Sequence, residues 1–320
     1  MNFLARSASL IALVAAFDGP VMARSAEGKP AAAPKATPAG KASAQAPGAK
    51  LETYQNLIQK AQNLTLQRDR LQASQVLIRG LQRETKGSVA YRELARSLDD
   101  LTSVFYTEKA QSLFATAESL SEEKPRESVE QYQEALRVEE NNLAVLKSLA
   151  RAQLRLGECD NADQNVKKAE SANPYSPEVR LLRLQVLSCQ KSVEALSEKL
   201  AGKDAEMEPV EKYTKGFQIQ DLLRKKEPKK AKAIEAAWEA QSPDYPEVFY
   251  WKWEISKQNG TVDRAAALKY LQLCQNMTPR KRKAFALDVD LCKGKEAVDA
   301  YLKEGSSGAQ PSPSAAQEGN

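Results

Sequence analysis

Residues 143–176 read LAVLKSLARAQLRLGECDNADQNVKKAESANPYS. Two helix-like runs flank Gly157 in this stretch. In the first, Leu146, Leu149 and Ala150 recur at the three- and four-residue spacing that brings side chains onto one helix face. In the second, Ala162 and Ala169 are small enough to let a neighbouring helix approach closely, and Pro174 ends the run. Gly157 permits the left-handed backbone that closes a helix, a conformation other residues resist. The stretch therefore predicts a helix–turn–helix hairpin, with Cys159 in its polar turn.

The same hairpin recurs along the chain. A 34-residue shift aligns Ala135 with Ala169 and Tyr132 with Val166. The window 54–87 repeats the pattern with Leu57, Ala61, Leu64, Ala73, Leu77 and Gly80. The window 109–142 keeps Tyr132 and Ala135 but has Ser112 and Ala115 where large residues are expected. Phe249, Gly260 and Ala265 mark a further copy over 245–279. Residues 177–203 fall short of a full copy, and 88–108 hold a single helix. The order of large residue, Leu and small residue, then Gly, two Ala and Pro, resembles the tetratricopeptide repeat (TPR). The resemblance implies helix pairs stacked into a right-handed solenoid, each pair unable to bury its apolar face alone, with first helices lining a groove that grips peptides.

From 51 to 302, Ala, Leu, Glu, Lys, Gln and Arg dominate at helical spacing, and about fifteen helices of ~10–17 residues are expected between short turns. The predicted fold class is all-α: a helical-repeat, TPR-like α-solenoid with a disordered N-terminal linker and C-terminal tail. Its repeats occupy 51–203, and 204–304 form a second helical-repeat segment of the same solenoid. Ahead of them, residues 1–23 have the parts of a cleavable signal peptide: Arg6, an apolar stretch from Ser9 to Phe17, and small residues before a cut after Ala23. The apolar stretch is too short to span a bilayer of ~30 Å. Residues 24–50 are rich in Ala, Pro and Lys with no large apolar side chain, and 305–320 are similarly polar and small, so both are expected to stay disordered.

The formal net charge is +5, but linker 24–50 carries five basic residues against one Glu, leaving the helical body near neutrality. A nucleic-acid binder concentrates basic charge on its fold; here no nucleic acid is expected, and the basic linker suits loose contact with an anionic envelope surface. The chain has no histidine, which removes Ser-His-Asp and Cys-His catalysis and the HExxH metalloproteases. It has no Cys-x-x-Cys pair and no phosphate-binding glycine loop. Adjacent acidic pairs such as Glu122–Glu123 point about 100° apart on a helix and read as solvated faces. No catalytic residue, cofactor, metal site or transmembrane segment after signal removal is expected.

The four cysteines, 159, 189, 274 and 292, in an exported chain suggest disulfides. Cys159 and Cys189 fall at the turns of neighbouring repeats and form the candidate disulfide. Cys274 and Cys292 are expected at opposite ends of an antiparallel helix pair, ~20 Å apart, beyond the reach of a bridge.

Two candidate partner-binding features stand out. Lys147, Arg151 and Arg155 recur every four residues on the first helix of the best repeat. In TPR proteins a Lys at the place of Lys147 helps grip a peptide carboxylate; Arg151 stands where such versions have Asn, so an acidic partner segment is the looser expectation and a solvated face the alternative. PEVFYWKWEISKQ (246–258) gathers four aromatics, of which Phe249 and Trp253 are expected inside and Tyr250 or Trp251 partly exposed as docking anchors. Together these predict a non-enzymatic periplasmic or secreted scaffold that binds other proteins, in a cell-envelope complex. A cell-wall-active enzyme or its subunit, and a chaperone-like carrier, are the alternatives.

Overall fold

A computed structural model describes residues 53–201 and 210–304; the expected leader, linker and tail lie outside them. Among the described residues fifteen helices follow one another with no strand. No helix among the described residues is long and apolar enough to cross a membrane.

The first three helices, α1 (Tyr54–Leu66), α2 (Arg70–Leu81) and α3 (Val89–Ser103), bury Leu57, Ala61, Leu77, Leu94 and Leu98 against one another. A single helix fills 88–108, as the sequence predicts. Hairpins follow: α4 (Glu108–Leu120) with α5 (Pro125–Val138), and α6 (Leu143–Arg155) with α7 (Cys159–Ala172). Next come α8 (Pro177–Cys189) with α9 (Val193–Ala201), α10 (Glu211–Arg224) with α11 (Pro228–Gln241), and α12 (Pro246–Gln258) with α13 (Arg264–Gln275). First helices α6, α8, α10 and α12 pack in succession and form one face. Ala150, Ala162 and Ala169 are fully buried, as close helix approach requires.

The repeat is written most regularly in its turns. Gly157, Lys191, Lys226 and Gly260 all have positive φ, at steps of 34, 35 and 34 residues. At each, the following amide reaches back to close the first helix: Glu158 N to Gln153 O at 2.8 Å, Ser192 N to Leu187 O at 2.9 Å, Glu227 N to Leu222 O at 2.9 Å, and Thr261 N to Ser256 O at 3.0 Å. This is the Schellman closure, which satisfies helix-end carbonyls through one left-handed residue. The expectation that 177–203 falls short of a repeat is thereby corrected: α8 and α9 share the same turn, hidden in the sequence because Lys191 stands where Gly is expected.

A buried ion pair ties α2 to the hairpin that follows α3. Arg70 meets Glu139 at 3.0 Å, and Glu139 Oε1 also accepts the Tyr106 and Thr107 amides, each at 2.7 Å. Burial works against the Glu139 charge, but the hydrogen bonds from Arg70, Thr107 and Tyr106 outweigh it and hold its pKa below the ordinary value.

Candidate functional site

The basic stripe on α6 is built into the fold. Lys147 is only 7% exposed, its Nζ 3.6 Å from Asp99 of α3 and 3.3 Å from Glu178 of α8. Arg151 shares Glu178 at 3.4 Å, and Arg155 meets Glu122 at 3.3 Å. Lys147 is therefore neither a solvated charge nor an open handle. Its counter-charges come from helices far away in sequence, which spacing along α6 does not reveal. Arg151 and Arg155 remain partly exposed.

Beyond α13 the chain crosses the first-helix face. The short α14 (Pro279–Ala284) stops after six residues, and turns over 285–294 lead to α15 (Lys295–Glu304). The crossing segment is held by the first helices α6, α8, α10 and α12. Arg155 of α6 donates to Ala286 O at 3.1 Å, and Gln185 of α8 donates to Leu287 O at 2.7 Å. Tyr213 of α10 donates to Ala284 O at 3.3 Å, while Glu247 of α12 accepts the Cys292 amide at 2.7 Å. Tyr245 donates its hydroxyl to Asp288. Val289 packs against the buried cluster that includes Ala150, Leu154 and Leu182, and Phe285 stacks on Tyr245 with ring centres 4.8 Å apart.

Both cysteine pairs are bridged. Cys159–Cys189 has Cα atoms 5.7 Å apart and fastens the start of α7 to the end of α8, the clasp the sequence suggests. Cys274–Cys292 has the same 5.7 Å separation. The expected ~20 Å is corrected because no long helix carries Cys292 away: α14 ends at Ala284, and a left-handed turn at Cys292 brings the chain back to α13.

The crossing segment borders two cavities. A cleft of about 850 Å³ lies between the α4–α5 turn, α6 and α14, lined by Glu118, Glu122, Arg151, Arg155, Arg282 and Lys283 among others. A smaller pocket of about 340 Å³ lies between α10, α12 and residues 288–294, and Tyr250 and Trp251 line it. Phe249 and Trp253 are buried, as read from the sequence, while both Tyr250 and Trp251 keep partial exposure where the sequence reading expected one of them to do so. Two glycines let these rings close in. A methyl group at Gly216 would lie 2.7 Å from Trp251 Nε1, and one at Gly294 would lie 2.4 Å from Tyr250 Cε2.

Sequence reading missed the carboxylates of this smaller pocket. Burial pushes Glu247 well above the ordinary carboxylate range, reinforced by Asp288 and Asp290 nearby. Burial likewise pushes Asp288 up to about 6, against the opposing hydrogen bond from Tyr245. The one available signal was the acids of AFALDVDLC (284–292), interleaved with apolar residues where solvated acids would not need such company. Among the described residues no three potential metal ligands converge.

No protein-family model matches the sequence, and no curated protein matches it either. Among solved structures the chain is similar to a tetratricopeptide repeat protein from Parabacteroides merdae ATCC 43184. The TM-score is 0.40 and the identity 14%, over 81% of this chain and 94% of that one. On its own helix order, pairing and turn spacing, the protein is a TPR-like helical-repeat solenoid.

Proposed function

We propose that this protein is a non-enzymatic, exported scaffold that binds other proteins of the cell envelope through the first-helix face of its solenoid. The observation that carries the reading is the open cleft of about 850 Å³ on that face. Its lining sets Arg151, Arg155, Arg282 and Lys283 against Glu118, Glu122 and Glu123. Glu122 is shared by Arg155 at 3.3 Å and Arg282 at 3.7 Å, and Lys283 is the basic group there without an ion pair among the described residues. An extended acidic segment of a partner fits such a lining, since opposite potentials steer docking and set register. Two disulfides suit an oxidising compartment, in keeping with the signal-like leader.

Cross-linking in the native compartment followed by affinity purification tests the reading. Capture of a reproducible envelope protein is expected, weakened about tenfold by Arg282→Glu with Lys283→Glu. Both substitutions fall on exposed side chains and leave the buried Lys147 pairs intact. Capture unaffected by both reversals would remove the cleft from the binding surface. Release of muropeptides from purified peptidoglycan would replace the scaffold reading with an enzymatic one.

A further inference from the structure

We propose that the pocket between α10, α12 and residues 288–294 binds an alkylammonium cation, and that its occupant is a lysine side chain of a docked protein. The choice of a protein source rests on the scaffold reading above; the cation chemistry does not.

The walls of the pocket are aromatic: Tyr213, Phe217, Trp238, Tyr245, Tyr250 and Trp251. Glu247 and Asp288 line the same space, and among the described residues neither belongs to an ion pair. The lysine in the lining, Lys293, is spent on Asp290 at 2.9 Å with a side chain 73% exposed, and Lys212, outside the lining, lies over the Tyr213 ring at 4.8 Å. Aromatic faces attract cations, most strongly where water is excluded. Enclosed carboxylates without a counter-charge are costly to keep ionised. Burial raises both pKa values, and at Asp288 the nearby Arg155 offsets only part of that rise. A cation entering the pocket would meet both needs at once, whereas a neutral ligand would gain only contact with the rings.

The hydrogen bonds already made hold both carboxylates in place. Glu247 Oε1 accepts the Cys292 amide, while Asp288 accepts the Tyr245 hydroxyl on one oxygen and the Asp290 amide, at 2.9 Å, on the other. Every bonded oxygen keeps a second lone pair, so these bonds exclude neither a guanidinium nor an ammonium, and the choice falls on size in a pocket of about 340 Å³. An ammonium is the compact charge of the two, with three donors. The absence of three converging ligands among the described residues points away from a metal ion and toward an organic cation.

The test uses the full chain with disulfides intact and follows its tryptophan fluorescence, since Trp238 and Trp251 line the pocket. The probes are Nα-acetyl-lysine N-methylamide, its arginine and norleucine counterparts, and 1,5-diaminopentane. Saturable binding of the lysine probe is expected, at least about tenfold tighter than that of the norleucine and arginine probes. Glu247→Gln should weaken it by a similar factor with helical circular dichroism unchanged. If that variant fails to fold, Trp251→Leu is expected to show the same loss. Equal binding of lysine and norleucine probes, no saturation with the lysine probe, or full binding by a folded variant would overturn the proposal. A diaminopentane affinity tenfold above that of the lysine probe would overturn the protein source. Probe binding without any captured envelope protein would sink the scaffold reading and leave the ammonium site standing. Capture with no probe binding would do the reverse.

Discussion

Glu235 on α11 shows how one buried side chain makes stability depend on pH. It is 3% exposed, one of its oxygens has no hydrogen-bond partner, and burial pushes its pKa up to about 7 from 4.5. Lys252 opposes the shift, but it is engaged with Glu239 at 2.5 Å. The folded state therefore holds a proton that the unfolded chain has released. Below the unfolded value both states are protonated and no penalty exists; the penalty grows as pH rises from 4.5 and is complete above about 7. Glu235→Gln is expected to raise stability at pH 8 by about 1–3 kcal/mol and to change it little near pH 4. Urea unfolding at the two pH values measures this; an equal gain at both would show that the charge is not the cause. Glu139 has the opposite sign: its lowered pKa stabilises the fold above the ordinary carboxylate value, and the contribution fades as pH falls through the folded one.

At the scale of the helix hairpin, the recurring left-handed residue is the decisive element. Gly157 and Gly260 adopt it without steric conflict, but Lys191 and Lys226 adopt it at φ 55° and 59° with a Cβ present. That conformation costs an L-residue roughly 1–2 kcal/mol, while glycine adds backbone entropy to the unfolded chain. Lys226→Gly is accordingly expected to stabilise the protein by up to about 1 kcal/mol without altering helix content. Thermal unfolding followed by circular dichroism reads the change, and a drop in melting temperature would contradict the turn geometry. These two lysines also explain why the sequence understated its own repetition: the turn conformation is conserved along the solenoid while the residue that marks it is not.

For the molecule as a whole, the segment crossing the first-helix face joins elements that local order keeps apart. It reaches α6, α8, α10 and α12, and Cys274–Cys292 anchors it to α13. Closing a loop of this length restricts the unfolded chain by roughly 3 kcal/mol on the chain-entropy account. Cys292→Ser is expected to lower global stability by about that amount. It should also speed amide exchange first over 285–294, where few backbone bonds are internal to a helix. Hydrogen-exchange mass spectrometry resolves the two effects; protection of 285–294 equal to that of α6 would show that side-chain grips alone hold the segment.

The sequence by itself determined the all-α class and the helix pairs of the clearer repeats, put Phe249 and Trp253 inside, and offered Cys159–Cys189 as the candidate clasp. All of these depend on which way a side chain points within one or two turns of helix, and that direction follows from spacing along the chain. Only the tertiary structure decided that Lys147 is enclosed, that α14 stops short so that Cys292 returns to Cys274, and that Glu247 and Asp288 share an aromatic pocket. Each of these rests on surfaces brought together by the stacking of successive helix pairs. Neither Asp99 beside Lys147 nor Asp288 beside Tyr245 leaves a periodic trace, because the rotation from one repeat to the next, and not the spacing within any one of them, sets which distant side chains meet.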